Sequence, residues 1–452
     1  MSRKSFLETY NQTKEYSKLK PRDRVQLRKK RLYDLVTYAK ENSPLYAEHF
    51  NDLGKNFTIR DLMPTSKEML FSNYDSWSTD REVTLASLEE HLAGDKAGEL
   101  YLGKYYMSST SGTEGERLVS LFDEDAALRM STTYLCRAFP EKNTFRSFLL
   151  KGGRVANIYT TNNAFFHNSF AQMRKKYLPL RTNRSIMLSA QNSTLSLANE
   201  LSSFKPSLLT GFPSVLSRMA DEKKASRLKI TPVLIMADGE PLDKETRNKL
   251  SSVFGCEVTS SYSTALSGCI AYECKEHHLH INDDWIIVEP VDEHNNPVKP
   301  GKTSDKLLVT NLANYIQPVI RCELGDRIRY HERECVCGNK SPWLEVRGRN
   351  LDQIRFVDGA REIIVPVSEL DDVLKGEEYI KRYQIIVNPN NHLELRLTGA
   401  KGTDRTLAFF KAEKVLRSYL KSIGIIAPMI TLDKEAPMPD PLSGKYQTVI
   451  TK

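Results

Sequence analysis

Ser108-Ser109-Thr110-Ser111-Gly112-Thr113-Glu114-Gly115-Glu116-Arg117 sets five hydroxyls and two glycines into ten residues. Glycines let backbone N–H groups approach a polyphosphate closely, and hydroxyls add donors to its oxygens. No Gly-Lys-Ser/Thr follows, so the stretch is not a Walker loop. Glu114 and Glu116 set negative charge beside the expected anion. Arg117 can offset one of them, or a glutamate can face a magnesium ion instead. Taken alone, a flexible Ser/Gly linker is the alternative reading.

Upstream, residues 101–107 read as a short β-like run, and residues 1–95 as mainly helical. Turn signals fall at Asn42-Ser43-Pro44 and Met63-Pro64. Downstream, strands and helices alternate, which predicts α/β layering. Residues 230–236 predict a strand, 243–254 a helix and 256–262 the next strand. Residues 285–289 and 306–310 predict strands of a smaller sheet. Around 347–352 the pattern turns polar. Beyond it, strands at 382–387, 393–397 and 429–432 and a helix at 406–423 predict a separate small domain. The expected division is a large α/β domain at 1–350 and a small α+β domain at 353–452.

The bulk numbers agree with a folded protein of more than one domain. The chain has 452 residues, 40% hydrophobic and 27% charged, which is ordinary globular usage. No apolar run is long enough to cross a bilayer, and the first twenty residues lack a signal-peptide core, so the cytoplasm is the expected location. Seven cysteines do not suggest a disulfide framework. The formal charge of +8 matches residues 1–40 alone, where twelve Lys or Arg face four Asp or Glu. Leu27, Leu32, Leu35, Val36 and Tyr38 recur there at helical spacing. That predicts an amphipathic helix with a solvated basic face. No interleaved aromatic and basic pattern points to nucleic acid.

Taken in order, the motifs resemble the adenylate-forming superfamily, in particular its phenylacetate–CoA ligase and CapK-like branch. The resemblance runs from about residue 20 to the C-terminus. The loop residues Ser109, Thr110, Ser111, Gly112, Thr113 and Gly115 resemble the signature that contacts ATP phosphates in that family. Ser207-Leu208-Leu209-Thr210-Gly211-Phe212-Pro213-Ser214 resembles a Gly-Tyr-Pro-Ser segment of the branch. Ala237-Asp238-Gly239-Glu240-Pro241 stands where the family has backbone lining the adenine and acyl pocket, so Gly239 and Glu240 are implied adenine neighbours. Tyr262 matches the tyrosine that stacks on adenine. Arg321-Cys322-Glu323-Leu324-Gly325-Asp326 resembles the Tyr-Arg-Thr-Gly-Asp motif, whose aspartate, here Asp326, accepts from the ribose hydroxyls. Gly348-Arg349-Asn350-Leu351-Asp352 resembles the hinge motif, with Arg349 beside the nucleotide and Asp352 at the pivot. Gly444-Lys445 matches the catalytic lysine. A flexible ammonium suits charge that develops on phosphorus.

One position departs from the pattern. The family's adenine motif continues as Tyr-Gly-x-Thr-Glu, whereas this chain reads Tyr262-Ser263-Thr264-Ala265-Leu266. Leu266 falls where a glutamate helps to hold magnesium. Three readings follow: the metal sits on the triphosphate with Glu114 or Glu116, the enzyme is slow, or adenylation is lost and binding remains. With the motif aligned in this way, Leu266→Glu is expected to raise magnesium affinity or rate.

Cys274, His280, Cys335 and Cys337 supply four donors of the type tetrahedral zinc takes. Fifty-five residues separate His280 from Cys335, a gap that folding must close. His277 and His278 are alternative ligands, and ordinary free cysteines the plainer reading. Cysteines just before the hinge also occur in the resembled branch, which implies a structural zinc. For the acid, Phe165, Phe166 and His167 fall where the family has an aromatic wall, with Ala237 behind it; plain core aromatics are the alternative. No second cation stands out there, so an uncharged aryl or medium acyl acid is preferred.

The resemblance thus implies ATP-dependent activation of a small-molecule carboxylic acid to acyl-AMP, then transfer to a thiol, either coenzyme A or a carrier-protein phosphopantetheine. The implied cofactors are ATP, Mg2+, a structural Zn2+ and, for one acceptor, coenzyme A. Transfer to an amine or hydroxyl is the alternative within enzymes, and a nucleotide- or acyl-binding homologue without turnover the alternative outside them. A homodimer is one option for the assembly.

Overall fold

The computed structural model describes residues 6–93, 99–109, 119–160, 176–177, 179–349, 353–358, 361–389, 391–425, 428–440 and 444–451. The chain divides into two compact units. The larger comprises Met1–Leu324 with Ile328–Val346, the smaller Gly325–Arg327 with Arg347–Lys452.

The larger unit is built on a five-stranded parallel sheet. Its order is Ser185–Ser189, Val155–Tyr159, Leu208–Gly211, Leu234–Ala237 and Glu257–Thr259. Helices Thr194–Phe204, Pro213–Lys224 and Lys244–Phe254 follow successive strands. The last shows how local chemistry sets an element. Asp243 accepts from the Thr246 amide at 2.7 Å and starts the helix, and Gly255 at φ +66° ends it. Between them Leu250 and Phe254, four residues apart, enter the core. Gly211 is needed for a different reason. A Cβ there would meet the Ile158 carbonyl at 3.0 Å, so a larger residue would press the two strands apart by a few tenths of an ångström. Pro213 then opens the next helix at its first position.

A second, four-stranded sheet orders Thr65–Ser66, Val319–Leu324, Lys306–Asn311 and Ile286–Val291. A third, five-stranded, orders Asp326–His331, Trp343–Arg349, Leu279–Ile281, Gly268–Glu273 and Ser261–Thr264. Residues 256–262 are therefore not one strand. Glu257–Thr259 belongs to the parallel sheet and Ser261–Thr264 to the third. The switch is made by Glu273, which accepts the Ser260 amide at 2.8 Å and is held in turn by Arg247 at 2.7 Å. Three other boundaries move. The strand expected at 230–236 is Leu234–Ala237, the β-like run at 101–107 becomes Tyr106–Ser109, and the polar stretch from 347 begins inside the strand Trp343–Arg349.

The N-terminal helices Phe6–Tyr16 and Pro21–Asn42 dock on this unit, and the basic face of the second is solvated at Arg22, Lys29 and Lys30 but not throughout. Leu32, Leu35, Val36 and Ala39 are buried as the spacing predicts. Arg24 is buried, and Arg28 and Arg31, spaced four and three further on, are half-buried against the same unit. The Arg31 guanidinium lies 3.4 Å from the Trp285 ring centroid and donates to the Asp284 carbonyl at 2.5 Å. Arg28 is 3.8 Å from Asp283, and Tyr16 donates to the same carboxylate at 2.9 Å. The positive charge is partly neutralised inside the fold.

The smaller unit opens with the hairpin Gln353–Asp358 and Arg361–Pro366. Its four-stranded sheet orders Met429–Leu432, His392–Gly399, Ile380–Asn388 and Val449–Thr451. Helices Val367–Leu374 and Arg405–Ser422 share a core with it, including Leu370, Ile385, Leu395, Ala412 and Leu416.

Candidate functional site

Strands Tyr106–Ser109 and Val119–Phe122 pair antiparallel, with Ser109 opposite Val119. These two residues flank the hydroxyl-rich stretch. Ser109 is buried, while Thr110, Ser111, Gly112, Thr113, Glu114, Gly115, Glu116 and Arg117 lie outside the described residues. Phe165, Phe166, His167 and Asp352 also lie outside them.

Ala237, Asp238, Gly239 and Glu240 leave the C-terminal end of a parallel strand, the usual place for a ligand crevice in such a sheet. Ala237 is fully buried, and Gly239 has φ +78°. The Glu240 carboxylate accepts from the Ser214 amide and hydroxyl, both at 3.0 Å. It thereby ties the first turn of the helix Pro213–Lys224 to the next strand end. Asp238 was not singled out in the sequence. Its carboxylate accepts a short hydrogen bond from Tyr159 and another from Ser261 at 3.1 Å, so three strand ends meet on it. Burial, then the Asp238 charge, pushes the Tyr159 hydroxyl well above its ordinary pKa, which keeps it a donor. Tyr262 is half-buried in the strand Ser261–Thr264 and packs against the cluster of Ile270 and Ile281. Asp326 opens its strand and is buried. Arg349 ends the strand Trp343–Arg349.

Leu266 is 1% exposed, in the core cluster that includes Leu121, Trp285 and Leu312. Its identity is explained by packing. A glutamate there would be buried among apolar groups, so the expectation that Leu266→Glu restores a metal ligand is corrected.

The four metal-type residues come together. One donor atom each from Cys274, His280, Cys335 and Cys337 lies within 4.8 Å of the others. Cys335-Val336-Cys337-Gly338 makes a tight turn, with Gly338 at φ +85°. Backbone amides point at sulfur: Cys337 N–H at Cys335 Sγ over 3.5 Å, and Asn339 N–H at Cys337 Sγ over 3.3 Å. His280 places Nε2 3.4 Å from Cys337 Sγ, while its Nδ1 bonds the Ser341 carbonyl at 2.8 Å. That second bond sets the tautomer that leaves Nε2 free to ligate. His278 serves differently. Its Nδ1 is 3.2 Å from Cys335 Sγ, and its ring stacks on Trp343 at 3.9 Å, opposite His331 at 3.8 Å. His277 turns instead to Arg247 at 3.1 Å. Burial pushes the Cys337 thiol up to about 12 and raises Cys274 as well. Thiols so placed ionise when a cation joins them, which suits a closed four-ligand site.

The same corner reaches the N-terminal helices. Ser341 donates to Asp283 at 2.7 Å, and Arg24 donates to Ser341 at 3.3 Å. Asp284 alongside is held bidentately by Arg137, both bonds at 2.7 Å. The sequence signal was Asn282-Asp283-Asp284-Trp285, paired acids beside an aromatic, matching the inward arginines.

Lys445 stands in the smaller unit between the strands Met429–Leu432 and Val449–Thr451. Its turn is closed by two backbone bonds, Gly444 N–H to Asp440 O and Asp440 N–H to Lys445 O, both 2.8 Å. Gly444 takes φ +66°.

No protein-family model matches the chain, and no curated protein matches it by sequence. Solved structures do match. A 2-hydroxyisobutyryl-CoA ligase in the postadenylation state, in complex with R3-HIB-AMP, aligns with TM-score 0.64 at 18% identity, over 97% of this chain and 91% of that one. The fold is that of adenylate-forming enzymes. The same ligase with 2-HIB-AMP and CoA, in its thioesterification state, gives TM-score 0.59 at 18% identity and the same coverage. An ATP-bound RpMatB–BxBclM chimera gives 0.50 at 11% identity, over 76% of this chain and 66% of that one. The adenylate-forming fold thus extends over both units. Among the described residues no helix is long and apolar enough to cross a membrane.

Proposed function

We propose that the chain is an ATP-dependent acid–thiol ligase that works through an acyl adenylate. The observation that carries this reading is the near-complete alignment with a ligase whose structure holds an acyl-AMP, together with the ordered motifs ending in Gly444-Lys445. In the first step a carboxylate oxygen attacks the α-phosphorus of ATP, forming acyl-AMP and releasing pyrophosphate. Lys445 offers an ammonium to the charge that develops there, and residues 109–115 hold the phosphates. Asp326 accepts from the ribose hydroxyls, Tyr262 faces adenine, and Gly239, Glu240 and Arg349 border the nucleotide. In the second step a thiol attacks the acyl carbon, AMP leaves, and the thiol proton goes to solvent. Rotation about Asp352 exchanges the two chemistries.

Coenzyme A or a carrier phosphopantetheine supplies the thiol. The acid is an uncharged aryl or medium acyl acid, held by Phe165, Phe166, His167 and Ala237. The branch is the phenylacetate–CoA ligase and CapK-like one, with the large domain at residues 1–350 and the small domain at 353–452. Magnesium rides on the triphosphate with Glu114 or Glu116, because position 266 belongs to the core. Zinc at Cys274, His280, Cys335 and Cys337 is structural: four protein donors leave no open position for a reacting group.

ATP–pyrophosphate exchange over a panel of aryl and acyl acids tests the first step. Binding of ATP with no exchange for any acid rejects it. Thioester appearing only when coenzyme A is added selects that acceptor. Elemental analysis showing well under one zinc per chain discards the metal assignment.

A further inference from the structure

Gln384 is 1% exposed, a polar side chain on the strand Ile380–Asn388. Its neighbour Ile385 points into the core shared with the helix Arg405–Ser422, so Gln384 lies on the opposite face of the sheet. Residues 433–440 and 444–447 pack on that face. Gln384 Nε2 donates to the Met438 carbonyl and to the Gln447 carbonyl, both at 2.9 Å. Its Oε1 accepts from the Met438 amide at 3.0 Å. Both amide protons are therefore used, one on each side of the Gly444-Lys445 turn.

The neighbours of Gln384 work on the same segment. Tyr446, next to Lys445, donates to the Tyr383 carbonyl at 2.5 Å, and the Arg382 guanidinium stands 4.4 Å from its ring centroid. Arg396 is the register partner of Gln384 on the adjacent strand, so the two side chains share a face. Arg396 binds Asp433 and Glu435, both at 2.6 Å, where the segment begins. One cross-strand pair thus fastens the segment at its start, before the lysine and after it. Among the described residues this stretch belongs to no strand, and a side-chain amide can satisfy two carbonyls and an N–H together.

We propose that Gln384 is a positioning residue for Lys445: by clamping Met438 and Gln447 it fixes the height and direction at which the turn presents the ammonium. The proposal rests on Lys445 being the adenylation lysine. It adds that the lysine's effect depends on a buried amide sixty-one positions earlier.

The test compares the parent with Lys445→Ala, Gln384→Met and Gln384→Asn in full-length protein. The probes are ATP–pyrophosphate exchange with phenylacetate or octanoate, whichever the parent takes, thioester formation from presynthesised acyl-AMP, and Tm. Gln384→Met keeps the volume and removes all three bonds. The expected result is an exchange kcat down about 100-fold with KM for ATP within about twofold. Thioester formation from the adenylate stays at the parent's rate and Tm stays close to it. Gln384→Asn keeps the amide one methylene short, reaches one flank and loses about 10-fold; it carries the test if the methionine variant does not fold. Exchange retained in both Gln384 variants while Lys445→Ala has lost it overturns the proposal alone. Exchange retained in Lys445→Ala, or absent from the parent, overturns the lysine reading and this proposal with it.

Discussion

The two units bury their polar groups for different ends. In the larger, buried ion pairs join separate elements: Arg137 to Asp284, Arg247 to Glu273, Arg321 to Glu289. In the smaller, Arg396, Arg405 and Gln384 spend their bonds on one segment, much of it on backbone carbonyls. The first arrangement is part of the core, and damage to it appears as lost stability. The second shapes a loop on the sheet face opposite the apolar core, and damage there is expected to appear as lost rate.

The largest test of that contrast is Leu266→Glu. A carboxyl in this core is held neutral by a pKa raised ~3–5 units, which costs about 3.5 kcal/mol at pH 7, on top of about 1–3 kcal/mol for burying an unpaired polar group. Because the folded pKa is raised, the deficit grows as pH climbs above the unfolded value of about 4.3 and fades below it. Urea midpoints at pH 5 and 7 measure it; a midpoint equal to the parent's would contradict the core placement.

Next is Asp284→Ala, which strands the Arg137 guanidinium in a buried position and is expected to cost about 3–5 kcal/mol. Adding Arg137→Met should return part of the loss in a double-mutant cycle. Lys445→Ala reverses the pattern: exchange falls about 10²–10³-fold, while the urea midpoint stays put. A large stability change there would erase the distinction between the units. The smallest effect is His278→Phe, which keeps the stack on Trp343 but removes the bond to Cys335 Sγ. Zinc affinity, measured by competition with a chelator, should fall about 10–100-fold.

Features that rest on rare residue types were legible in the sequence. Three cysteines and a histidine were expected to gather, and their donor atoms lie within 4.8 Å of one another. Helix Lys244–Phe254 was legible because Asp243 and Gly255 mark its ends. Features that depend on tertiary closure were not. Gln384 looks like any strand residue until residues 433–440 and 444–447 fold over it. The strand break at Ser260 needs Glu273, thirteen positions later, to take its amide. Arg24, Arg28 and Arg31 read as a solvated stripe because their partners lie beyond residue 280.

That distance has a consequence for synthesis. Tyr16 meets Asp283 across 267 positions, and Arg24 meets Ser341 across 317. At roughly 5–20 residues per second, the first helices wait on the order of 13–50 s before the carboxylate they dock on has even been made. During that interval the basic residues of 1–40 lack the carboxylates that partly neutralise them, and their apolar stripe lacks the surface it docks on. The beginning of this chain is among the last of its parts to reach its place.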